Sequence, residues 1–407
     1  MAINFPVSHA RAGLGTRAAA EKHVRNVSFR AGPPRLIGVE LEWLTARADV
    51  TAARPELTSL VDALGSHAPR TVMPSSSERP LPSGSVVSVE PGGQVELSSA
   101  PCTSARQVCD RLTADARMLR ALLARRSVAM LDGAADGVRP PQRLLRTARY
   151  GAMEMRYDRS GPMGRLMMNN TAAVQVSVDA GTDDDEIDRR WKLLHAMGPA
   201  MIAAFACSPL MRGAPEGDWA SQRMRAWLAL DPELTEVPDP AGYPAWVVDA
   251  PLTCVRTGEP EWHVPAGASF ADWLDGGLDE EIGRRPTIGD LDYHMTTLFP
   301  PVRPRGHLEV RYIDAQPGDM WQVPVAAVEA LLSTPAVTEE ATAVAAPVRE
   351  LWTEAAQVGL GSVELRAAAA GLLSLAAESS RDMRFTAALD AAAARCLRGR
   401  GPEVIGR

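Results

Sequence analysis

The stretch Leu36-Ile37-Gly38-Val39-Glu40-Leu41-Glu42-Trp43 decides how this chain is read. Side chains alternate across a strand, so Ile37, Val39, Leu41 and Trp43 share one face while Glu40 and Glu42 share the other. The same pattern recurs. Gln94 and Glu96 oppose Val95 and Leu97 after the turn Pro91-Gly92-Gly93; Gln175 and Ser177 oppose Val174, Val176 and Val178; Glu309 and Arg311 oppose Leu308 and Val310. Carboxylates are poor strand formers, and gathering like charges on one sheet face costs free energy. A solvated outer face would produce the same alternation strand by strand. Four strands that together gather carboxylates and a guanidinium point instead to a metal and phosphate site built on a sheet. Hard cations such as Mg²⁺ take oxygen ligands and lean on substrate phosphates for the remainder. Glutamates from separate strands bridging such ions to ATP meet that demand, and Arg311 on the same face can neutralise a phosphate oxygen during transfer.

Composition narrows the function. The 407 residues are 46% hydrophobic and 23% charged with a net charge of −7, an ordinary soluble globular balance and the opposite of a basic nucleic-acid surface. The basic residues are almost all arginine, with Lys22 and Lys192 the only lysines, so a Gly-Lys-Ser/Thr phosphate loop is absent. Cys102, Cys109, Cys207, Cys254 and Cys396 contain no Cys-x-x-Cys pair, which argues against a disulfide scaffold or a zinc ribbon. Residues 1–34 lack the apolar core of a secretory signal, and the longest apolar stretch, Ala196 to Leu210, is too short for a membrane span. The expectation is a cytoplasmic protein that engages neither nucleic acid nor membrane; its oligomeric state is not readable.

Along the chain, a helix is expected around Thr16 to Val27, then a turn at Gly32 to Pro34 that launches the first strand. Helices follow at Glu56 to Leu64, after Thr103-Ser104, and after Thr182-Asp183, where the acidic cluster Asp183 to Glu186 reads as a helix first turn rather than a calcium loop. Tyr150 to Asp158 alternates and reads as a strand; residues 213–262 read as irregular connection; residues 325–400 read as Ala-rich helices packed behind the sheet. Strands and helices do not alternate regularly, so an α+β fold with a mainly antiparallel sheet is expected. One domain over 1–407 is expected, with 1–34 a lead-in.

Competing motifs are weaker. His307-x-Glu309 has no Pro-Cys-x-x-Cys to complete a zinc deaminase signature, and Ser98-Ser99 and Ser160-Gly161 lack a nucleophile elbow. His263 and His294 are isolated and read as structural or supporting residues, and Cys102 has no neighbour that would activate it.

Gly38 to Trp43, Glu90 to Ser98, Met167 to Val176 and Leu298 to Pro317 resemble glutamate–cysteine ligases, in particular the actinobacterial branch that supplies γ-glutamylcysteine to ergothioneine synthesis. The resemblance runs from about residue 15 to about residue 330 and more loosely to the end. It implies a glutamine-synthetase-like fold, a curved and mainly antiparallel sheet with flanking helices whose concave face holds Mg²⁺ and ATP. It also implies ligation of L-glutamate to L-cysteine through a γ-glutamyl phosphate. By matching motif, Glu40, Glu42, Glu96 and Glu309 resemble metal-binding carboxylates, with Glu90 a fifth candidate. Arg311, beside Glu309, resembles the arginine that steadies the transferring phosphate. Arg223 resembles a substrate-binding arginine facing a carboxylate of glutamate, and Arg303 or Arg305 is expected to contact nucleotide phosphate. Gln175 is placed with Arg223 among the substrate-binding candidates; it stands where other branches carry a metal-binding histidine, which leaves amide-oxygen metal ligand, water-mediated contact and plain strand residue open. Other functional readings are a ligase using a different amine, a phosphotransferase that stops at the phosphorylated acid, and a non-catalytic nucleotide-binding homologue.

Overall fold

A computed structural model describes residues 14–32, 35–230, 236–257, 262 and 264–403. Pro33, Pro34 and His263 of the preceding reading lie outside them.

Each of the four alternating segments lies in one sheet. Its strands are β1 (Ile37–Arg47), β2 (Val86–Val89), β3 (Val95–Ser98), β4 (Val128–Leu131), β5 (Ala173–Asp179), β6 (Val302–Pro304) and β7 (His307–Asp314). The order is β2-β3-β1-β5-β7-β6, with β4 paired to the far end of β1, and every pairing is antiparallel. The α+β class and the antiparallel sheet are therefore as expected. Register aligns the polar residues: Glu42 faces Glu96, and Glu40 lies between Ser98 and Gln175. Between β5 and β7 the register slips, Val174 facing Ile313 but Val176 facing Val310. Arg311 and Tyr312 thus both oppose Gln175, a bulge of the kind that re-aims a side chain.

The apolar face of the sheet is closed by the helices Ala105–Ala124, Gly198–Phe205 and Gln322–Leu331. Behind them stack Pro335–Ala345, Trp352–Val358, Val363–Ser379 and Met383–Leu397, the Ala-rich layer the sequence predicts. Helix starts follow the capping residues: Thr16, Ser104 and Asp183 each accept a backbone N–H of the first turn.

Two expectations are corrected. Tyr150 to Asp158 is not a strand: Ala148–Tyr157 is a helix whose N-cap, Thr147, accepts from the Tyr150 N–H. Met153 and Tyr157 are buried whereas Met155 is 43% exposed, so the local alternation of Met153, Met155 and Tyr157 was fortuitous and the true period is helical. The connection 213–262 is not wholly irregular, because it holds the helices Gln222–Leu228 and Tyr243–Asp249. Pro244 sits in the first turn of the latter, where a missing N–H costs nothing.

Candidate active site

The polar sheet face is roofed rather than solvated. Helices Ala148–Tyr157, Met163–Asn170 and Gln222–Leu228 and the segment 296–305 lie over it and leave a partly open cavity of about 230 Å³. Met153, Tyr157, Met163, Met167, Met168, Met211 and Phe299 form a separate apolar cluster that ties the roof together.

One wall is acidic. Glu40 and Glu42 from β1, Glu96 from β3 and Glu90 from the β2–β3 turn all line the cavity. That turn is tight. Glu90 and Gln94 pair through the Glu90 N–H, Gly93 adopts φ +86°, and a Cβ on Gly92 would fall 2.3 Å from the Asn169 carbonyl oxygen. Only glycine allows this approach. Gln94 locks the turn to the roof by donating to the Met168 and Thr171 carbonyls.

The acids perturb one another. Burial first, then the charge of Glu90, pushes Glu42 up to about 8. Burial and Glu40 raise Glu90, and burial with Glu40, Glu90 and Glu42 raises Glu96 well above the usual carboxylate range. Ser88 donates to Glu96 at 2.7 Å, and Ser98 donates to both Glu40 and Glu96 at 3.3 Å. Glu42 has both oxygens engaged, Oε1 by the Gln175 amide and Oε2 by the Ala173 N–H, each at 2.9 Å.

The other wall is cationic: Arg149, Arg223, Arg303, Arg305 and Arg311. Glu309 is not among the cavity-lining side chains. It is 1% exposed and accepts from Arg303 Nε at 2.7 Å and Arg311 Nη1 at 2.8 Å. Burial alone would raise it, but Arg303, Arg311 and Arg305 outweigh burial and hold it well below the usual range. Burial, with Arg311 beside it, lowers Arg303 to about 10. Arg223 donates to the Arg311 carbonyl at 2.6 Å and lies 3.8 Å from the buried Asp314. Asp314 in turn accepts from the Cys207 N–H, Ser208 and Ser221. The indole of Trp227 packs against both Arg223 and Arg311.

Nine of the ten residues named from sequence therefore line one cavity, and the tenth, Glu309, expected as a metal-binding carboxylate, instead fixes two of its arginines. Missed were Arg149, Tyr150, Met153, Trp227, Thr296 and Phe299, all from the roof. Arg149 is held there by two hydrogen bonds of 2.8 Å to Thr296. The signal for the first three was Thr147 as an N-cap with Tyr150, Met153 and Tyr157 at helical spacing; the others carry no periodic mark. His294 is a core residue, its Nε2 2.9 Å from the Val247 carbonyl and its ring stacked on Phe270. Cys102 is buried and burial raises its thiol.

Among the described residues, no three His, Cys, Asp or Glu side chains are arranged to hold a metal ion unaided. Mg²⁺ does not require that, since it binds through one or two carboxylates plus phosphates and water. Carboxylates raised by burial and then by one another's charge, beside arginines that can take phosphate, fit such an ion.

Fold and cavity together define an enzyme site that handles anions: guanidinium groups to neutralise two reactants, facing carboxylates that call for a cation. Comparison with known proteins gives the family. Residues 36–400 match the description Glutamate-cysteine ligase family 2 (GCS2), and the chain belongs to that family. It is 39% identical over 368 residues to glutamate–cysteine ligase EgtA of Mycolicibacterium smegmatis, covering 88% of this chain and 84% of that one. It is 37% identical over 374 residues to EgtA of Mycobacterium tuberculosis, covering 88% and 83%. A solved glutamate–cysteine ligase of Francisella tularensis in complex with AMP is 14% identical, with a TM-score of 0.47 over 91% of this chain and 83% of that one. That likeness is too distant to bear on individual residues.

Proposed function

We propose that this protein is an ATP-dependent ligase that joins the γ-carboxylate of L-glutamate to the amine of L-cysteine, giving γ-glutamylcysteine for ergothioneine biosynthesis. The observation that carries the reading is the acidic wall facing an arginine wall across one cavity, in a chain this similar to two EgtA ligases.

A carboxylate is a poor acyl donor, so its oxygen first attacks the γ-phosphorus of ATP and ADP leaves. The cysteine amine then attacks the acyl carbon, loses a proton and expels phosphate. Both steps bring negative groups together, and this chain's residues reduce that cost. Arg311 sits on the strand face beside the acids and contacts the transferring phosphoryl oxygens. Arg303 and Arg305 bind the nucleotide phosphates, with Glu309 as the positioning carboxylate that aims Arg303 and Arg311. Arg223 holds a glutamate carboxylate. Glu40, Glu42, Glu90 and Glu96 would hold Mg²⁺ together with phosphate oxygens. When bound it supplies charge neutralisation and a template for ATP. The roof narrows the access of water to the activated acid.

One buried apolar cluster draws residues from Leu14 to Cys396, which supports one domain. No single helix among the described residues is long and apolar enough to cross a membrane. All five cysteines are free, which favours a reducing compartment, and we place the enzyme in the cytoplasm.

The test is ADP release from Mg-ATP with glutamate, with cysteine, other amino acids or no amine, and the product identified by mass. Cysteine-dependent release with γ-glutamylcysteine is expected. Full-rate release with glutamate alone would make it a phosphotransferase, preference for another amine would change the substrate, and nucleotide binding without turnover would make it a non-catalytic homologue.

A further inference from the structure

Each carbonyl of the Pro91-Gly92-Gly93 turn is held by a group from outside the turn. Pro91 accepts from the Leu144 and Leu145 N–H groups at 2.7 and 3.1 Å, and Gly93 from the Thr45 hydroxyl at 2.6 Å. Gly92 accepts from Arg54 Nη1 at 3.0 Å. The same guanidinium reaches further. Its Nη2 donates at 2.6 Å to the side-chain oxygen of Asn170, the last residue of the roof helix Met163–Asn170, and at 3.2 Å to the Pro140 carbonyl. Arg54 therefore links the turn that follows Glu90 to the end of the helix that brings Met167 and Met168 to the cavity.

A buried arginine is a costly way to hold a carbonyl. The Arg54 side chain is 7% exposed, burial and then the charge of Arg139 lower it to about 10, and its Nε is buried without a partner. Asp136 Oδ2, 3.8 Å from Arg54, offsets only part of that cost, because Arg139 Nε already donates to the same oxygen at 2.6 Å. Asn170 is fixed in turn. Its amide nitrogen donates to the Arg139 carbonyl at 2.8 Å, and its backbone carbonyl accepts from the Asp136 N–H at 2.9 Å. A hydroxyl would hold Gly92 at less cost, as Thr45 holds Gly93. What a guanidinium adds is a rigid planar fork, whose two terminal nitrogens fix two acceptors at a set separation. Here one acceptor belongs to the acidic wall and the other to the roof. Arg54 is not itself among the cavity-lining side chains, so its effect on chemistry passes through what it holds.

We infer that Arg54 is a positioning residue: by tying the Gly92 carbonyl to Asn170 it sets the gap between the Glu90 turn and the roof helix, and so holds Glu90 where it shares a divalent cation with the neighbouring glutamates. The inference rests on the proposed reading of those carboxylates as cation ligands.

The test is metal binding rather than turnover. Mn²⁺, detected by electron paramagnetic resonance, is titrated into the full chain with a non-hydrolysable ATP analogue, for the unaltered protein, Arg54→Met, Glu90→Gln and the double variant. Arg54→Met is expected to weaken Mn²⁺ by about 10-fold, the low end of the loss when an outer partner of a metal ligand is removed. Acting through Glu90, the Arg54 change is expected to add less than ~2-fold once Glu90→Gln is present. Arg54→Lys keeps the charge without the fork and is expected to fall between the unaltered protein and Arg54→Met. Should the methionine variant not fold, the lysine variant decides, and unaltered Mn²⁺ affinity in it would overturn the role of the fork. Unchanged affinity in Arg54→Met, or a loss that multiplies that of Glu90→Gln in full, would leave Arg54 a residue of the fold alone. Equal Mn²⁺ affinity in Glu90→Gln and the unaltered protein would also overturn the inference. Failure of the ligase reading looks different: the unaltered protein would bind Mn²⁺ with nucleotide yet form no γ-glutamyl product, and the four affinities would still decide the place of Arg54.

Discussion

Glu309 sits between two cationic groups beside the cavity. It is buried, ionised, and shared by two guanidinium groups that would otherwise repel each other. Glu309→Gln keeps the shape but removes the charge between Arg303 and Arg311. The expected outcome is a kcat lowered by about 100-fold, the scale of losing preorganised transition-state charge, with a raised KM for ATP and an unchanged circular dichroism spectrum. A wild-type kcat would show that the two arginines need no anchor. At this scale the sequence was informative where chemistry is unusual for its setting: a glutamate on a strand, alternating with valine and leucine, stands out. Arg149 and Trp227 do not stand out, because an arginine or tryptophan on a helix is ordinary until the fold shows what it covers. Gln175 lies between these cases, its position legible and its amide contact with Glu42 visible only in the fold.

The β2–β3 turn does the positioning at the scale of elements. Glu90 and Gln94 reach the site because Gly92 lies against the Asn169 backbone, with no room for a side chain. Gly92→Ala is expected to destabilise by about 1–3 kcal/mol, the usual cost of overpacking, measured by denaturant unfolding, and to lower turnover through displacement of Glu90. An unchanged midpoint and activity would mean that the roof gives way freely. Strands β1, β3, β5 and β7 were readable because period-two alternation survives in each of them, whereas β4 was not read from sequence at all. The helix Ala148–Tyr157 was not, since three large residues at alternate positions mimicked a strand, and β6 was not, since Val302-Arg303-Pro304 is too short to show any period. Its pairing with β7 comes from the tight turn at Gly306, φ +75°.

For the whole molecule, the acidic wall ties stability to pH and to cations. Glu42 has a folded pKa of about 8 against an ordinary value of 4.5, and Glu90 and Glu96 are also raised. The folded state therefore holds extra protons, and metal-free stability is lost as pH rises through the window from 4.5 toward 8. Buried His195, His294 and His307, each lowered to about 4 by burial, act in the opposite sense, costing stability as pH falls from 6.5 to 4. Above pH 6.5 only the carboxylates remain. The melting temperature without divalent cation should fall between pH 6.5 and 8.5, and millimolar Mg²⁺ should flatten that fall; a flat metal-free profile would contradict the raised carboxylates. The strand order has a further consequence, in time rather than energy. β5 pairs with β7, yet 127 residues separate Asp179 from His307. At about 5–20 residues per second of synthesis, β5 leaves the ribosome roughly 6–25 s before its neighbour exists. Throughout that interval a growing chain presents a bare valine-rich strand edge, a template for mispairing, and slow translation after residue 179 would lengthen the exposure rather than relieve it.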